Sequence, residues 1–299
     1  ESKIMFLPKG HPPVSGAKPL ELSNLAQTMR ELAVNGRRDF YEGEVAKTIL
    51  ADLQSGGSVM TAEDLRSYHA ELVSPISFSY HNAELHVPQG LCAGPTFHES
   101  MEKLEKLKLA RKPRPDAFAY LSYAQTMSDS YATRFSNLGH DGSGSTPNCT
   151  THVCVADGMG NMVSLTNTLL AYFGSKVVLP ESGILMNNGV MWFDPRPTGP
   201  NKIAPGVRPL TNMCPLIATR DDRGWIAAGA SGGRHILAAV AQLTSFLVDY
   251  GLDLETAIHL PRIDVTGPDE ITYDKRCLLY TSDAADDTPC VDLGGRRII

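Results

Sequence analysis

The sequence predicts an α+β protein whose helices and sheets stack as a layered α/β/β/α domain. Two observations support this prediction. Apolar residues recur at helical spacing in several segments of the first half of the chain, which is typical of amphipathic helices. After residue 148 apolar and polar residues alternate, which is typical of half-buried strands, and no internal repeat or heptad is present.

The first elements are predicted to be helices. The spacing of the first helix is set by Leu22, Leu25, Met29 and Leu32. Gly36 follows as a stop signal, so we expect an amphipathic helix with its apolar side in the core. Residues 45–53 repeat the pattern up to Gly56, and residues 61–64 resemble a capping box that opens another short helix.

Two strands and further helices follow. Residues 75–80 and 83–87 alternate as strands, and the turn-prone pair at 81–82 joins them. Helices are predicted around residues 100–107 and 116–135.

A second hairpin is predicted after a loop. Residues 139–148 are rich in glycine, serine, asparagine and proline, which indicates an exposed loop. Val153 and Val155 then alternate with polar residues, and residues 157–161 have the composition of a turn. Residues 162–169 are expected to form the returning strand.

The remaining pattern leads to a buried helix. Residues 226–230 are predicted to be a strand of small residues, and residues 231–233 a turn. A helix is expected from Ile236 to Tyr250, and Gly251 ends it. Its apolar part is shorter than the roughly 20 residues that cross a bilayer, so we expect a buried helix and not a membrane span.

Composition excludes several classes of partner and cofactor. The formal net charge of -6 is spread along the chain, and no run of lysine or arginine could neutralise a series of phosphates or bind an anionic membrane. Neither nucleic acid nor a membrane is therefore an expected partner. The six cysteines lack paired CxxC spacing, and no nucleotide or flavin motif occurs, so we predict free thiols, no metal and no cofactor.

Both ends of the chain need separate treatment. The chain starts at Glu1 without a methionine or a secretion signal, so a targeting signal is expected upstream or not at all. The compartment is left open, with the bacterial cytoplasm preferred. Residues 277–299 lack apolar periodicity and resemble a translated sequencing adapter, so we interpret them as non-native; a disordered native tail is the alternative.

The candidate chemistry lies where the loop meets the next strand. Cleavage of the peptide bond between Cys149 and Thr150 would give Thr150 a free α-amino group. That amino group can act through a bridging water as general base for the hydroxyl of the same residue, which then supplies both nucleophile and base. A threonine after a loop is by itself more often an ordinary structural residue, so the wider sequence decides.

The wider sequence carries five blocks that occur in the same order in one family. They are residues 150–174, 181–188, 208–210, 229–233 and 261–262. The first block, TTHVCVADGMGNMVSLTNTLLAYFG, resembles the signature of gamma-glutamyltranspeptidases, and the resemblance extends from Phe6 to about Lys275. It implies a four-layer α/β/β/α N-terminal-nucleophile hydrolase sandwich that is incomplete at both ends.

The resemblance also implies a division of the chain. Residues 1–149 would be the C-terminal part of a large subunit. Residues 150–276 would be a truncated small subunit that begins at the nucleophile. Both subunits would come from one precursor, and association into a homo-oligomer is left open.

Four catalytic residues are implied by the resemblance. Thr150 is the nucleophile, and Thr168 on the returning strand hydrogen-bonds its hydroxyl. Gly232 and Gly233 donate backbone N–H groups to the oxyanion, a role that requires close approach of the backbone and no Cβ. The plain alternatives are an ordinary strand threonine and a tight turn between a strand and a helix.

The resemblance assigns the substrate pocket to Asn188, Trp192, Thr211 and Asn212. Well-known glutathione-processing members continue after the asparagine pair with a glutamine and an aspartate, where this chain has an apolar stretch with Trp192. Leu170 stands where those members have an asparagine or glutamate that helps to hold the donor. Thr211 and Asn212 replace two serines. These departures imply a pocket that tolerates a donor without a free α-amino group.

His152 and Cys154 are expected to be structural. His152 lies on the opposite face of the strand from Thr151, and in this family the base is the new amino terminus, so a packed histidine is favoured. Cys154 stands where the family usually has serine or threonine. It is expected to be small and buried and not a second nucleophile.

Three functions remain open from the sequence. The first is an autoprocessing gamma-glutamyltransferase or glutathione hydrolase, which transfers the acyl group of glutathione, or of another γ-glutamyl or acyl amide, to water or an amine. The second is a cephalosporin (glutaryl) acylase with the same threonine nucleophile, which Trp192 favours. The third is an inactive fragment, because strands missing from a sheet leave its edges open.

Overall fold

The structure, a computed structural model, describes most of the chain. It covers residues 2–7, 10–11, 21–22, 24–140, 148–267 and 270–274. Most of the predicted loop at 139–148 and all of the interpreted tail at 277–299 lie outside the described residues. The chain divides into two compact units, Glu1–Leu72 with Leu169–Asn188 and Val73–Thr168 with Gly189–Ile299.

Five helices are described in the first unit. They are α1 (Ser2–Phe6), α2 (Leu25–Asn35), α3 (Asp39–Glu42), α4 (Glu44–Ser55) and α5 (Ala62–Arg66). Val45 and Ile49 of α4 are buried together with Leu179. Thr61 and Asp64 form the predicted capping box at the start of α5.

The apolar stripe of α2 differs from its prediction. Met29 is 58% exposed, so this part of the stripe does not lie in a core. The buried residue is Thr28, whose hydroxyl donates to the carbonyl oxygen of Ser182 at 2.7 Å. Leu32 of the predicted stripe does pack against the buried cluster of Val45, Ile49 and Leu179, so hydrophobic contact and this hydrogen bond together hold α2. Gly36 ends the helix as predicted, and its N–H donates to the Leu32 carbonyl.

Eight strands are described in the chain. They are β1 (Ile76–Tyr80), β2 (Ala83–Val87), β3 (Asn148–Ala156), β4 (Met162–Ala171), β5 (Leu216–Arg220), β6 (Arg223–Ala228), β7 (Ile263–Gly267) and β8 (Glu270–Tyr273). The second unit holds an antiparallel sheet in the order β1-β2-β5-β6, in which Leu85 pairs with Ala218 and Ala218 with Ile226. β7 pairs with β8 in a separate ribbon. The first predicted hairpin is thus confirmed, and β5, β7 and β8 were not predicted.

Four more helices are described in the second unit, and they share a buried core with this sheet. They are α6 (Gly94–Glu105), α7 (Ala117–Asn137), α8 (His235–Val248) and α9 (Leu254–His259). α6 packs on β1 and β2 and against α7 and α8. It begins at Gly94 and not near Ser100, because Pro95 is readily accommodated in a first helical turn. α8 is the predicted buried helix, with Ile236 and Phe246 among its fully covered residues.

β3 and β4 form the second predicted hairpin. The Asp157 carboxylate closes its turn by accepting from the N–H groups of Met159 and Asn161, both at 2.9 Å. One face of the hairpin, here called the outer face, carries apolar side chains that are each about half exposed: Val153, Val155, Val163 and Leu165. The other, inner face carries the polar side chains that alternate with them.

The inner face of the hairpin is directed toward β6. Ile226 and Ala228 of β6 are buried in the core that the helices cover. A Cβ on Gly229, one residue further along, would point into the ring of His152. Because side chains alternate along a strand, the hairpin lies on the face of β6 opposite the helices. Helices, sheet and hairpin are therefore three successive layers of this unit.

Helix lengths, metal-binding side chains and cysteines can be compared with the predictions over the described residues. None of the helices among them is long and apolar enough to cross a membrane. No group of three or more histidine, cysteine, aspartate or glutamate residues within the same ranges is arranged to hold a metal ion. Four cysteines fall in the described part of the chain, and all four are free, as predicted: Cys92, Cys149, Cys154 and Cys214.

Candidate active site

Two threonine hydroxyls meet on the inner face of the hairpin. The Thr150 hydroxyl donates to the hydroxyl oxygen of Thr168 at 3.1 Å. The Thr168 hydroxyl donates to the carbonyl oxygen of Cys149 at 3.0 Å. Both threonines are half-buried. A continuous chain of hydrogen bonds thus runs from the candidate nucleophile to the carbonyl group that precedes it.

His152 lies next to this pair on the inner face. Its Nδ1 is 2.9 Å from the hydroxyl oxygen of Thr166, and its Nε2 is 3.2 Å from the sulfur of Cys154 and 3.3 Å from the hydroxyl oxygen of Ser164. Burial lowers the pKa of His152, so its imidazole is neutral at pH 7. These partners are hydroxyl and thiol groups, which fits the predicted structural role better than a catalytic triad.

The placement of Cys154 corrects one expectation. Its side chain was expected to be buried, but it is exposed. The sulfur sits on the inner face because the thiol donates to the carbonyl oxygen of Ala227 at 3.2 Å. Partial burial raises the pKa of the thiol, so the group stays protonated near neutral pH. A protonated thiol is a poor nucleophile, in line with the prediction of no second nucleophile.

Gly232 and Gly233 form the predicted turn between β6 and α8. Their φ angles are 120° and 61°, in the region that favours glycine. Their carbonyl oxygens accept from the N–H groups of His235 and Ile236, both at 3.2 Å, so the turn opens α8. A helix N-terminus gathers backbone N–H groups, which suits an oxyanion. The His235 side chain in turn bonds Asp264 of β7.

Thr211 and Asn212 are held by Arg134, which is 3% exposed. One guanidinium nitrogen of Arg134 donates to the Thr211 carbonyl at 2.7 Å and to the Asn212 side-chain oxygen at 3.0 Å. The other donates to the Cys92 carbonyl at 2.7 Å. The Thr211 hydroxyl donates to the Leu91 carbonyl at 3.1 Å. Both predicted substrate residues therefore already bond to the protein, and sequence reasoning missed the arginine that holds them.

Asn188 is hydrogen-bonded to the end of β4. Its N–H donates to the carbonyl of Leu169 at 3.2 Å, and its side-chain oxygen accepts from the N–H of Ala171 at 3.0 Å. These bonds tie the segment that ends at Asn188 to the strand that also carries Thr168.

Comparison with known proteins identifies the family. The family model described as gamma-glutamyltranspeptidase matches residues 1–147 and 138–284. The chain belongs to this family.

Two curated members of the family show how much of it the chain covers. The glutathione hydrolase proenzyme of Escherichia coli (strain K12) is 29% identical over 324 residues, which is 92% of this chain and 56% of that protein. The acylase ACY 1 proenzyme of Pseudomonas sp. (strain SE83) is 30% identical over 300 residues, which is 88% of this chain and 53% of that protein. The chain thus spans little more than half the length of these relatives.

A solved structure shares the fold. The crystal structure of cephalosporin acylase from Bacillus halodurans superposes with a TM-score of 0.81 at 24% sequence identity, covering 99% of this chain and 60% of that one. The predicted α+β fold class is thereby confirmed.

Leu170 and Trp192 are two positions at which the sequence departs from well-known family members. Leu170 is 1% exposed and has a φ of 74°, so an apolar residue in a left-handed conformation fills a position that is polar in those members. Trp192 ends a 3-10 turn, Gly189–Trp192, and is half-buried. Its carbonyl accepts from the side chain of Asn201 at 2.7 Å, and Asn201 also accepts from the N–H of Leu210 at 2.9 Å.

The structure thus brings together part of the predicted site. Thr150 and Thr168 are bonded to each other, whereas Asn212 is bonded to Arg134 and the Trp192 carbonyl to Asn201. The catalytic and substrate-binding roles stay predictions.

Proposed function

We propose that the full-length protein is an autoprocessing amidohydrolase that forms an acyl-enzyme on Thr150. It passes the acyl group of glutathione, or of another γ-glutamyl or acyl amide, to water and less efficiently to an amine. The observation that carries the proposal is the hydrogen-bond chain from the Thr150 hydroxyl through Thr168 to the Cys149 carbonyl.

This series of hydrogen bonds supports a route for self-cleavage. The Thr150 oxygen attacks the carbonyl carbon of Cys149, its proton passes to Thr168, and the Thr168 proton passes to the carbonyl oxygen. The tetrahedral intermediate then loses its C–N bond as its own hydroxyl proton passes to the nitrogen, which restores the C=O bond and leaves an ester on Thr150. Water hydrolyses that ester and frees the Thr150 amino group. Residues 1–149 and 150–276 then lie in separate large and small subunits.

The freed amino group supports the turnover that follows. It accepts the hydroxyl proton through a water while the hydroxyl attacks the amide of the substrate. The oxyanion is stabilised by the N–H groups of Gly232 and Gly233, whose left-handed conformations a side chain would strain. The amine leaves with one proton, and water releases the acyl group from Thr150.

The position of the new amino terminus tests this proposal. We expect the full-length protein to split at Cys149-Thr150 during folding, as seen on denaturing gels and by N-terminal sequencing. Thr150→Ala should abolish both the cleavage and the hydrolysis of γ-glutamyl-p-nitroanilide. Thr151→Ala is the matched control, because Thr151 is exposed and points to the other face of the strand. A protein that folds yet stays a single chain would instead support the inactive-fragment alternative.

Trp192 favours a second candidate, a cephalosporin (glutaryl) acylase that uses the same nucleophile. Trp192 is half-buried, and by the family resemblance it takes the position of an aspartate that binds the donor amino group in well-known glutathione-processing members. Charge-assisted hydrogen bonds to such a group are worth about 1.5–3 kcal/mol each, so their loss reduces the preference for a free α-amino group.

Two donors that differ only in that amino group separate the candidates. We expect the full-length protein to use γ-glutamyl-p-nitroanilide and glutaryl-p-nitroanilide within about tenfold in kcat/KM, roughly 1.4 kcal/mol. Trp192→Asp should shift the preference toward the γ-glutamyl donor, and Trp192→Phe, which keeps an aromatic ring, should not. If the protein strongly prefers the γ-glutamyl donor and neither variant changes the ratio, Trp192 lies outside the donor pocket.

A further inference from the structure

This inference rests on the proposed function and adds a residue to it. We propose that His152 is a positioning residue, whose imidazole holds the strand of Thr150 at a fixed separation from the turn that begins at Gly229. Three observations carry it: the bonds of the ring, the missing Cβ at Gly229, and the alignment of β3 with β6.

The bonds of the imidazole fix its orientation. Thr166 contacts Nδ1 at 2.9 Å, and Cys154 and Ser164 contact Nε2 at 3.2 Å and 3.3 Å. Cys154 and Ser164 also donate to carbonyl oxygens of β6, at 3.2 Å and 2.8 Å. The ring is therefore linked to both strands of the hairpin and, through two of its partners, to β6. Rotation of the imidazole would break its hydrogen bonds at both Nδ1 and Nε2.

Gly229 is a glycine because of this ring. A Cβ at position 229 would lie 2.1 Å from Cε1 and 2.3 Å from Nδ1 of His152, which is closer than atoms can approach. The φ angle of Gly229 is outside the left-handed region, so the backbone itself would accept an alanine. The imidazole, and not the backbone conformation, thus excludes a side chain at this point of β6.

The alignment of the two strands relates this contact to the chemistry. Cys154 is level with Ala227, and His152 with Gly229, so β3 and β6 run in opposite directions. Thr150 is the next inner-face residue of β3, about 7 Å beyond His152 at the usual rise of a strand. Two residues beyond Gly229, past the end of β6 at Ala228, lies Ser231, next to Gly232. The imidazole thus separates the two segments that carry the nucleophile and the oxyanion donors.

A double-mutant cycle tests the contact. In the full-length protein we expect Gly229→Ala to slow acylation by γ-glutamyl-p-nitroanilide and glutaryl-p-nitroanilide about 100-fold, because a displacement of about 1 Å has effects of that size. His152→Ala should slow it similarly. The double variant should be no slower than His152→Ala alone, because the ring that a Cβ would strike is gone.

Gly224→Ala is the matched control for the cycle. Gly224 lies on β6, and its added Cβ would meet the flexible side chain of Met162, with the sulfur at 2.5 Å, and the carbonyl oxygen of Gly160 in the hairpin turn at 3.2 Å. That side chain can move aside, so acylation should stay within about threefold of wild type.

Two replacements separate positioning from space filling. His152→Asn keeps a polar group that can reach Thr166, and His152→Leu keeps bulk without polarity. We expect kcat to fall about 100-fold in the leucine variant and less than about tenfold in the asparagine variant, with KM changed less than about twofold in both. If the imidazole only fills space, kcat should fall less in the leucine variant than in the asparagine variant, because leucine fills the site better.

The outcomes distinguish this inference from the function on which it rests. A wild type that never forms a Thr150 amino terminus overturns both. If the wild type cleaves and turns over, the inference is overturned when Gly229→Ala acts like Gly224→Ala, or when the two losses in the cycle simply add. Urea unfolding of each variant gives a second measure of the same cycle, so the contact remains testable in variants that fold poorly.

Discussion

The four-stranded sheet and the β3–β4 hairpin have the same alternating sequence pattern but use it differently. In the sheet, the apolar side chains face the helices, and Leu85 is 0% exposed. In the hairpin the apolar side chains face outward, and Leu165 is 55% exposed. The polar side of the hairpin, which carries Thr150 and His152, is the one directed at the rest of its unit.

The two regions are held by different kinds of interaction. Burial of a leucine contributes about 1.5–3 kcal/mol and is not directional. A hydrogen bond such as that from Ser164 to the Ala228 carbonyl, at 2.8 Å, contributes only about 0.5–1.5 kcal/mol but fixes distance and angle. Among the described residues, apolar packing therefore holds the sheet, and directional hydrogen bonds hold the hairpin against β6.

Truncation of a leucine should destabilise the sheet far more than the hairpin. We expect Leu85→Ala to lower the free energy of unfolding by about 2–5 kcal/mol, because it leaves a cavity under the helices. Leu165→Ala, the same change in the hairpin, should cost less than about 0.5 kcal/mol. Urea unfolding of both variants of the 299-residue chain measures the two values. Equal costs would show that the hairpin is held by packing as well.

A smaller effect should appear in the rate of self-cleavage. Thr168→Val keeps the shape of the side chain but removes both the bond to Thr150 and the bond to the Cys149 carbonyl. We expect cleavage of the full-length protein to slow by about 10² to 10³-fold, the usual effect of one lost oxyanion donor. Thr151→Val on the exposed face is the control. Unchanged cleavage in the first variant would remove the proposed proton route.

The pH dependence of stability should show a smaller effect. Burial lowers the pKa of His152 in the folded protein below its unfolded value of about 6.5. The unfolded chain therefore binds the proton first, and the stability supplied by the neutral ring is complete above pH about 6.5 and is lost as the pH falls through the folded pKa. Unfolding at pH 7.5 and at pH 5.5 should show a larger loss in wild type than in His152→Phe. Cys154 stays uncharged over this range, since burial raises its pKa.

Local signals in the sequence predicted much of the fold. Alternation and turn residues located both hairpins, and the pair of Thr61 and Asp64 located a helix start. The pairing of Thr150 with Thr168 followed from the family signature, and the hairpin brings the two hydroxyls within 3.1 Å. These features depend on residues that are near in sequence or paired across a short turn.

Residues that act over long distances in the chain left no such signal. Thr28 bonds to Ser182, Arg134 reaches Asn212, and Asn201 supports the backbone of the segment with Trp192. Each is a polar residue in a region whose local pattern reads as helix surface or loop, so only the folded chain shows why it is buried.

The Thr168 hydroxyl donates to the carbonyl oxygen of Cys149. In the proposed reaction, cleavage would turn that carbonyl into the end of a separate polypeptide, and the hydroxyl of Thr168 would then serve the substrate. In the proposed reaction the same hydroxyl would thus act once in maturation and repeatedly afterwards. In the proposed reaction, a precursor with the wrong geometry at Thr168 would not be cleaved and would stay inactive. Selection for cleavage would therefore also select the geometry needed for turnover.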